Sequence, residues 1–322
     1  MSNTNKERIC EVLLYLQFNG EQPTLDFFKI NTETLTRYKR KAKQEYNLNI
    51  DGLGVLNEIA KNFTPQELQA IAKGGRINPA ADNIPIVNFD GERLRFGVMG
   101  DTHFGSKYLS IDMVDKAFNE FKKEGCELVV HTGDITEGMS HRPGHVYELS
   151  ELGYDAQLEK AVSVLSQWDK PFYAVSGNHD RWYLKNSDAG ANIVKAICEK
   201  LPQGTFLAHD TGDIVLNDGK ASIRLHHGED GSSYALSYRV QKVVESYTGG
   251  EKPSVLILGH VHKYVQVFIR HIHCLSAGSL QRQTSWMKSK RLDANTGFGI
   301  VDIWLSNEGV SKFRNTWYPF YC

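Results

Sequence analysis

Apolar positions near the amino terminus fall at helical spacing. Ile9, Val12, Leu13 and Leu16 stand at i, i+3, i+4 and i+7, the stripe of an amphipathic helix, and Gly20 ends it. A second short helix is expected over 24–30, turning at Asn31. A third starts at Thr32, with Leu35, Tyr38 and Ala42 inward and Arg37, Arg40 and Lys43 outward. Further along, TPQELQAIAKG carries an N-cap at Thr64, Pro65 at the first helical position, Glu67 closing a capping box and Gly74 as terminator. The segment GGRINPAADNIPIVNFDG then loses periodicity and gains two prolines, the texture of a linker. The expected organisation is a small helical domain over 1–75, a linker over 76–91 and a larger domain over 92–322.

From Arg93 the pattern changes. Short apolar runs at 94–99, 128–131, 172–175, 222–225, 255–258, 264–269 and 298–305 predict strands, and stretches at 111–123, 156–168, 191–200 and 234–247 predict helices. This alternation, without internal repeats, predicts an α/β layered domain. Ligands in such folds gather beyond the carboxyl ends of the strands. The residues just after each apolar run should therefore carry the function.

Composition narrows the class. A chain of 322 residues with 41% hydrophobic content suits a globular protein with a sizeable core. No run approaches the roughly eighteen apolar residues of a membrane span, and MSNTNKERIC has no signal-peptide apolar region, so no membrane partner and a cytoplasmic location are expected, the host cytoplasm if the chain is virus-encoded. A formal net charge of -1 argues against a uniformly basic surface and leaves room for a local patch. The five cysteines are scattered without C-x-x-C spacing, as expected of reduced thiols. Neither a G-x-G-x-x-G run nor a phosphate-binding G-x-x-x-x-G-K-[ST] loop occurs.

Five strand ends read VMGDTHFG, VVHTGDITEG, AVSGNHD, IRLHHGED and LILGHVHK. Each sets Asp, Asn or His directly after apolar residues, with a Gly that lets the backbone turn tightly. One such group is ordinary in a folded protein; five in succession are not. Imidazole nitrogens with carboxylate and amide oxygens, and no thiolate, suit Zn, Mn, Fe or similar divalent ions. Asp101, His103, Asp134, Asn178, His226 or His227, His260 and His262 exceed what one ion needs, so two are expected, with a carboxylate such as Asp134 able to bridge them. A pair of ions left net positive would attract a phosphate oxygen and hold both the attacking and the leaving oxygens of an in-line displacement. Hydrolysis of a phosphate ester is the natural reading.

In order and loop context, Asp101-x-His103, Gly133-Asp134, Gly177-Asn178-His179-Asp180, His226-x-Gly228 and Gly259-His260-x-His262 resemble the five motifs of the calcineurin-like metallophosphoesterases, over residues 93–320. The resemblance implies an α/β fold, a β-sandwich flanked by helices, here preceded by the small all-α domain. It implies one ion on Asp101, His103 and His262, a second on Asn178, His260 and the histidine of HHG, and Asp134 between them. His226 is favoured over His227, because the family's ligand commonly lies two residues before a Gly or Pro, with His227 left open. It also implies attack by a hydroxide bridging the ions, with His179 protonating the leaving oxygen and Asp180 holding its ring. Mn, Fe and Zn all share these ligands, and Mn is favoured.

The departures concern substrate. GDITEG lacks the Asp-Arg-Gly of the protein phosphatases, and Glu137 stands where the repair-exonuclease branch has a histidine, with His141 or His145 of SHRPGH as candidates to reach the substrate instead. The chain looks most like the compact metallophosphoesterases of bacteriophage and bacterial genomes. Lys29, Arg37, Lys39, Arg40, Lys41 and Lys43 face only Glu33 and Glu45 in KINTETLTRYKRKAKQE, and the arrangement resembles a helix-turn-helix, so nucleic acid, DNA above all, is the expected partner. Arg282, Lys288, Lys290 and Arg291 around Trp286 form a second patch suited to a single strand. For both patches an ordinary solvated surface competes with these readings. The expected function is a two-metal phosphodiesterase acting on nucleic acid. The alternatives are a phosphomonoesterase or nucleotide phosphatase, and a DNA-binding adaptor on a non-catalytic scaffold.

Overall fold

Ile9, Val12, Leu13, Leu35 and Ala42 bury against one another, with Leu16 and Tyr38 packed beside them, so the inward stripe lies where the helical spacing puts it. In the computed structural model the described residues are 8–9, 12–13, 15–16, 20–45, 84–185, 190–229, 231, 235–248 and 250–321, and the chain divides into two compact units, 1–77 and 78–322. The helix expected at 64–74 and the linker up to residue 83 lie outside the described residues. In the first unit, helices span Glu21–Phe28 and Thr32–Glu45. Lys29 takes a left-handed backbone between them, and Asn31 Oδ1 caps the second helix by accepting from the Thr34 amide at 2.9 Å. Arg37, Arg40 and Lys43 are exposed.

Among the described residues the second unit holds twelve strands: β1 Ile86–Val87, β2 Arg93–Met99, β3 Leu128–His131, β4 Phe172–Ser176, β5 Gly204–His209, β6 Thr211–Leu216, β7 Ala221–His226, β8 Val255–Leu258, β9 Tyr264–Ile269, β10 Ile272–Ala277, β11 Gly297–Ser306 and β12 Gly309–Pro319. They form two six-stranded mixed sheets, ordered β1-β6-β7-β8-β10-β9 and β12-β11-β2-β3-β4-β5. The strand period of two sorts their side chains. Leu94, Phe96 and Val98 of β2 pack with Ile223 and Leu225 of β7 and Val255 and Ile257 of β8 between the sheets. The opposite face of the second sheet is covered by helices Ile111–Lys123, Tyr154–Leu165 and Ile193–Lys200, and that of the first by Tyr238–Ser246. At Gly97 a Cβ would lie 2.7 Å from the Phe121 ring, so only glycine lets that helix settle on β2. Among the described residues no helix is long and apolar enough to cross a membrane. Cys126, Cys198 and Cys274 are buried free thiols, each pushed up to about 12 by burial.

On β11 the buried Asp302 is held by two guanidinium groups, Arg95 Nε at 2.7 Å and Arg314 Nε at 2.9 Å. Burial pushes the carboxyl up, yet the hydrogen bonds from Arg95 and Arg314 outweigh it and hold Asp302 below its usual value. A depressed carboxyl stabilises the fold above the unfolded value of about 3.9 and loses that contribution as pH falls through the lower folded value. Asp302→Asn should therefore cost about 1–3 kcal/mol in urea denaturation at neutral pH and remove this component of the acid limb. An unchanged acid limb in the variant would refute the assignment.

Candidate metal centre

The polar motifs all lie just beyond carboxyl ends of strands at one edge of the sandwich: β2 leads to Asp101 and His103, β3 to Asp134, β4 to Asn178 and His179, β7 to His227, and β8 to His260 and His262. Their backbones are unusual. Asp101, His103, Asp134, His260 and His262 all have φ between 47° and 79°, a left-handed conformation that non-glycine residues adopt at a cost and that clusters at functional sites. The glycines before them allow close approach. A Cβ on Gly177 would stand 2.1 Å from Asp134 Oδ1, and one on Gly133, itself at φ 95°, 2.7 Å from His227 Nδ1.

Two groups of donor atoms result. In the first, His103 Nε2 and His262 Nε2 lie 3.2 Å apart, with Asp101 Oδ1 3.5 Å from His262 Nε2 and Asp134 Oδ2 3.8 Å from His103 Nε2. In the second, His227 Nε2 lies 3.1 Å from both Asp134 Oδ2 and Asn178 Oδ1, and His260 joins Asp134 and His227 within 4.8 Å. Ligand atoms about 2.1 Å from a common ion stand about 3.0 Å apart when adjacent at right angles and at most about 4.2 Å apart when opposite, a span that holds every separation quoted for the two groups, so both fit a divalent ion. Asp134 Oδ2 belongs to both.

Tautomers agree with this fit. A carbonyl only accepts, so the 2.8 Å contact between His227 Nδ1 and the Thr132 carbonyl puts the hydrogen on Nδ1 and frees Nε2 for the cluster. His262 faces the cluster with Nε2, and its Nδ1, on the other side of the ring, is buried without a hydrogen-bond partner. Burial disfavours charge on His103 and His227, yet Glu137 with Asp134 and Asp101 outweighs it for His103, and Asp134 with Asp101 for His227, raising each to about 9. Asp134 is held well below the usual carboxylate range, burial being outweighed first by His227 and then by His179. These carboxylates demand cations. His260, in contrast, is pushed down to about 3, chiefly by burial and then by His227.

Two sequence expectations are corrected. His227, not His226, enters the cluster. Along β7 the residues Ala221, Ile223 and Leu225 face the core, and His227 continues their parity; His226 shares the outer face of Arg224 and pairs with Thr211 Oγ1 at 2.7 Å through Nδ1. Asp180 does not hold the His179 ring. Its carboxylate accepts from the amides of Thr136 at 2.8 Å, Gly177 at 2.9 Å and Ile135 at 3.2 Å, tying together the loops after β3 and β4. His179 Nδ1 instead donates to the Glu137 carbonyl at 2.9 Å, leaving Nε2 as the nitrogen able to take or give a proton. Burial holds this ring below the usual histidine value, against Asp134 and Glu137.

Glu137 and Arg239 have no role that the sequence reveals beyond a substitution and a helix. Glu137 is buried, with Oε2 3.0 Å from His103 Nδ1 and 2.8 Å from Gln281 Nε2, and Oε1 3.0 Å from His145 Nε2. His145 is therefore buried behind Glu137, while His141 is exposed. Arg239 donates to the carbonyls of Gly259 and His227, pinning the loops after β8 and β7. Its sequence signal, a lone arginine in an amphipathic helix, is weak. The centre opens into a cavity of about 520 Å³ lined also by Trp182, Val261, Trp286, Met287 and Leu292. Arg282 and Lys288 are exposed, and neither lines this cavity.

The family described as Calcineurin-like phosphoesterase matches residues 94–264, just over half of the chain. The DNA polymerase II small subunit of Archaeoglobus fulgidus is 23% identical over 265 residues, which are 67% of this chain and 52% of the relative, so the chain spans about half the length of that relative. Among solved structures, an archaeal phosphodiesterase is 16% identical with a TM-score of 0.42, covering 70% of this chain and 100% of its own. Yfce, a phosphoesterase from E. coli, is 16% identical with a TM-score of 0.38, covering 69% of this chain and 98% of its own.

Proposed function

The chain belongs to the calcineurin-like phosphoesterase family, and from that premise we propose that it is a two-metal phosphodiesterase acting on nucleic acid. The observation that carries the proposal is the meeting of two His/Asp clusters on one oxygen, Asp134 Oδ2. Asp101, His103 and His262 would hold one ion, Asn178, His227 and His260 the other, with Asp134 shared. Two divalent ions held there would polarise the phosphoryl group and steady the attacking and leaving oxygens. His179, oriented by the Glu137 carbonyl and backed by the Trp182 ring at 4.0 Å, would move a proton at Nε2 to or from the leaving oxygen. Glu137 fixes the His103 ring, and Asp180 fixes the loop that carries His179.

The nucleic-acid part of the reading is supported by exposed Arg37, Arg40 and Lys43 on helix Thr32–Glu45, by the absence of an Asp-Arg-Gly after Asp134, and by the archaeal relative's name as a polymerase subunit. That name also keeps the adaptor alternative in view; a complete donor set argues against it. Manganese added to metal-stripped protein should support cleavage of an aryl phosphodiester and of end-labelled DNA in preference to an aryl phosphomonoester. Replacing Arg37, Arg40 and Lys43 together should lower the slope of log affinity for DNA against log salt by about 2–3. Monoester cleavage alone would make the protein a phosphatase, and silence on every substrate would favour the adaptor.

A further inference from the structure

The cavity beside the metal centre has a wall that phosphate hydrolysis alone does not require. Trp286 stands on the short helix Ser285–Ser289, 42% exposed, and lines the same cavity as His103, Asp134 and His262. Arg142, from the loop after β3, lays its guanidinium carbon 5.3 Å from the Trp286 ring centroid. A stacked guanidinium restrains an exposed indole at little desolvation cost. Val261, Met287 and Leu292 add apolar side chains to the lining of the same cavity.

The charges lining this space are already paired. Arg142 bonds Glu148, and Lys263 stands 3.0 Å from Asp293. Among the described residues of the lining, these two cations each have a carboxylate partner, so the wall adds little net positive charge to the centre. A polyphosphate chain would find no further cation among the described residues of the lining. A ligand with one phosphate at the metal centre and a flat apolar group beside it would match both regions, and about 520 Å³ lies within the usual range of 300–1,000 Å³ for small-molecule sites.

We infer that Trp286, restrained by Arg142, is a stacking platform for the base of a nucleotide unit whose phosphate lies at the His/Asp centre. The inference rests on the phosphoesterase reading for the position of that phosphate. It also revises the basic patch around Trp286: the partner of the indole is Arg142, 144 positions earlier in the chain, rather than Arg282 or Lys288 beside it.

Calorimetric titration of the manganese-loaded full chain with adenosine 5′-monophosphate and with ribose 5-phosphate tests it, because the two share phosphate and sugar and differ by the base. Stacking predicts that the nucleotide binds about 5- to 100-fold more tightly, that Trp286→Ala brings this ratio close to one, and that Trp286→Phe keeps part of it. A ratio near one in the wild type, or one that survives Trp286→Ala, overturns the subsite while leaving the phosphoesterase reading intact. Failure of both ligands to bind overturns both readings. A deoxyadenosine trinucleotide in the same titration distinguishes a strand end, which it would match by binding more tightly than the mononucleotide, from a free nucleotide, which it would not; either order upholds the base subsite.

Discussion

Asp134→Ala should abolish metal-dependent phosphodiester hydrolysis, lowering kcat at least about 1,000-fold, because loss of the metal contribution removes several kcal/mol of transition-state stabilisation and each 1.36 kcal/mol is tenfold. The size of the effect comes from the shared oxygen. Oδ2 is 3.1 Å from His227 Nε2 and 3.8 Å from His103 Nε2, so one truncation weakens both ion sites at once. Oδ1 also accepts from the His179 amide at 2.8 Å, so the same change loosens the backbone that presents the proton-transfer group. Metal analysis should find fewer than two ions per chain, and Asp134→Asn, which preserves shape, should separate loss of charge from loss of packing. Activity within tenfold of wild type, with two ions retained, would remove Asp134 from the bridging role.

The second large effect separates adjacent residues. His227→Ala should lower kcat about 100-fold or more and cost one ion per chain, since Nε2 faces both Asp134 and Asn178. His226→Ala should change kcat less than about threefold and cost about 1 kcal/mol of stability through its contact with Thr211. Kinetics with metal content on both variants decide the matter; the reverse pattern would restore His226 as the ligand.

Legibility depends on where the physics is local. β8 and the first three residues of β3 are buried on both faces and read as apolar runs, whereas β12, GVSKFRNTWYP, has no buried residue and mixes charge with aromatics, so apolar runs do not reveal it. The short strands β5 and β6, consecutive in the chain but in different sheets, escape for the same reason, being half-buried along much of their length. Donor residues stand out because each motif sits within a few residues of a strand end. The histidine doublet misleads because spacing to a glycine outweighs strand parity, although Ile223 and Leu225 already carry that information. Glu137, Asp180 and Arg142 act through partners brought together by tertiary structure, such as His145, the Thr136 amide and Trp286, and no local pattern announces those meetings.

Parity in β7 also bears on the fidelity of the centre. A slip of one residue along β8 would exchange His227 for His226 at the pocket, and the same slip would turn Ile223 and Leu225 out of the sandwich. Exposing two such aliphatic side chains costs about 1.5–3 kcal/mol each, more than an alternative imidazole is expected to recover. Ligand choice at the metal centre is thereby proofread by the hydrophobic core, which has no chemical part in the reaction.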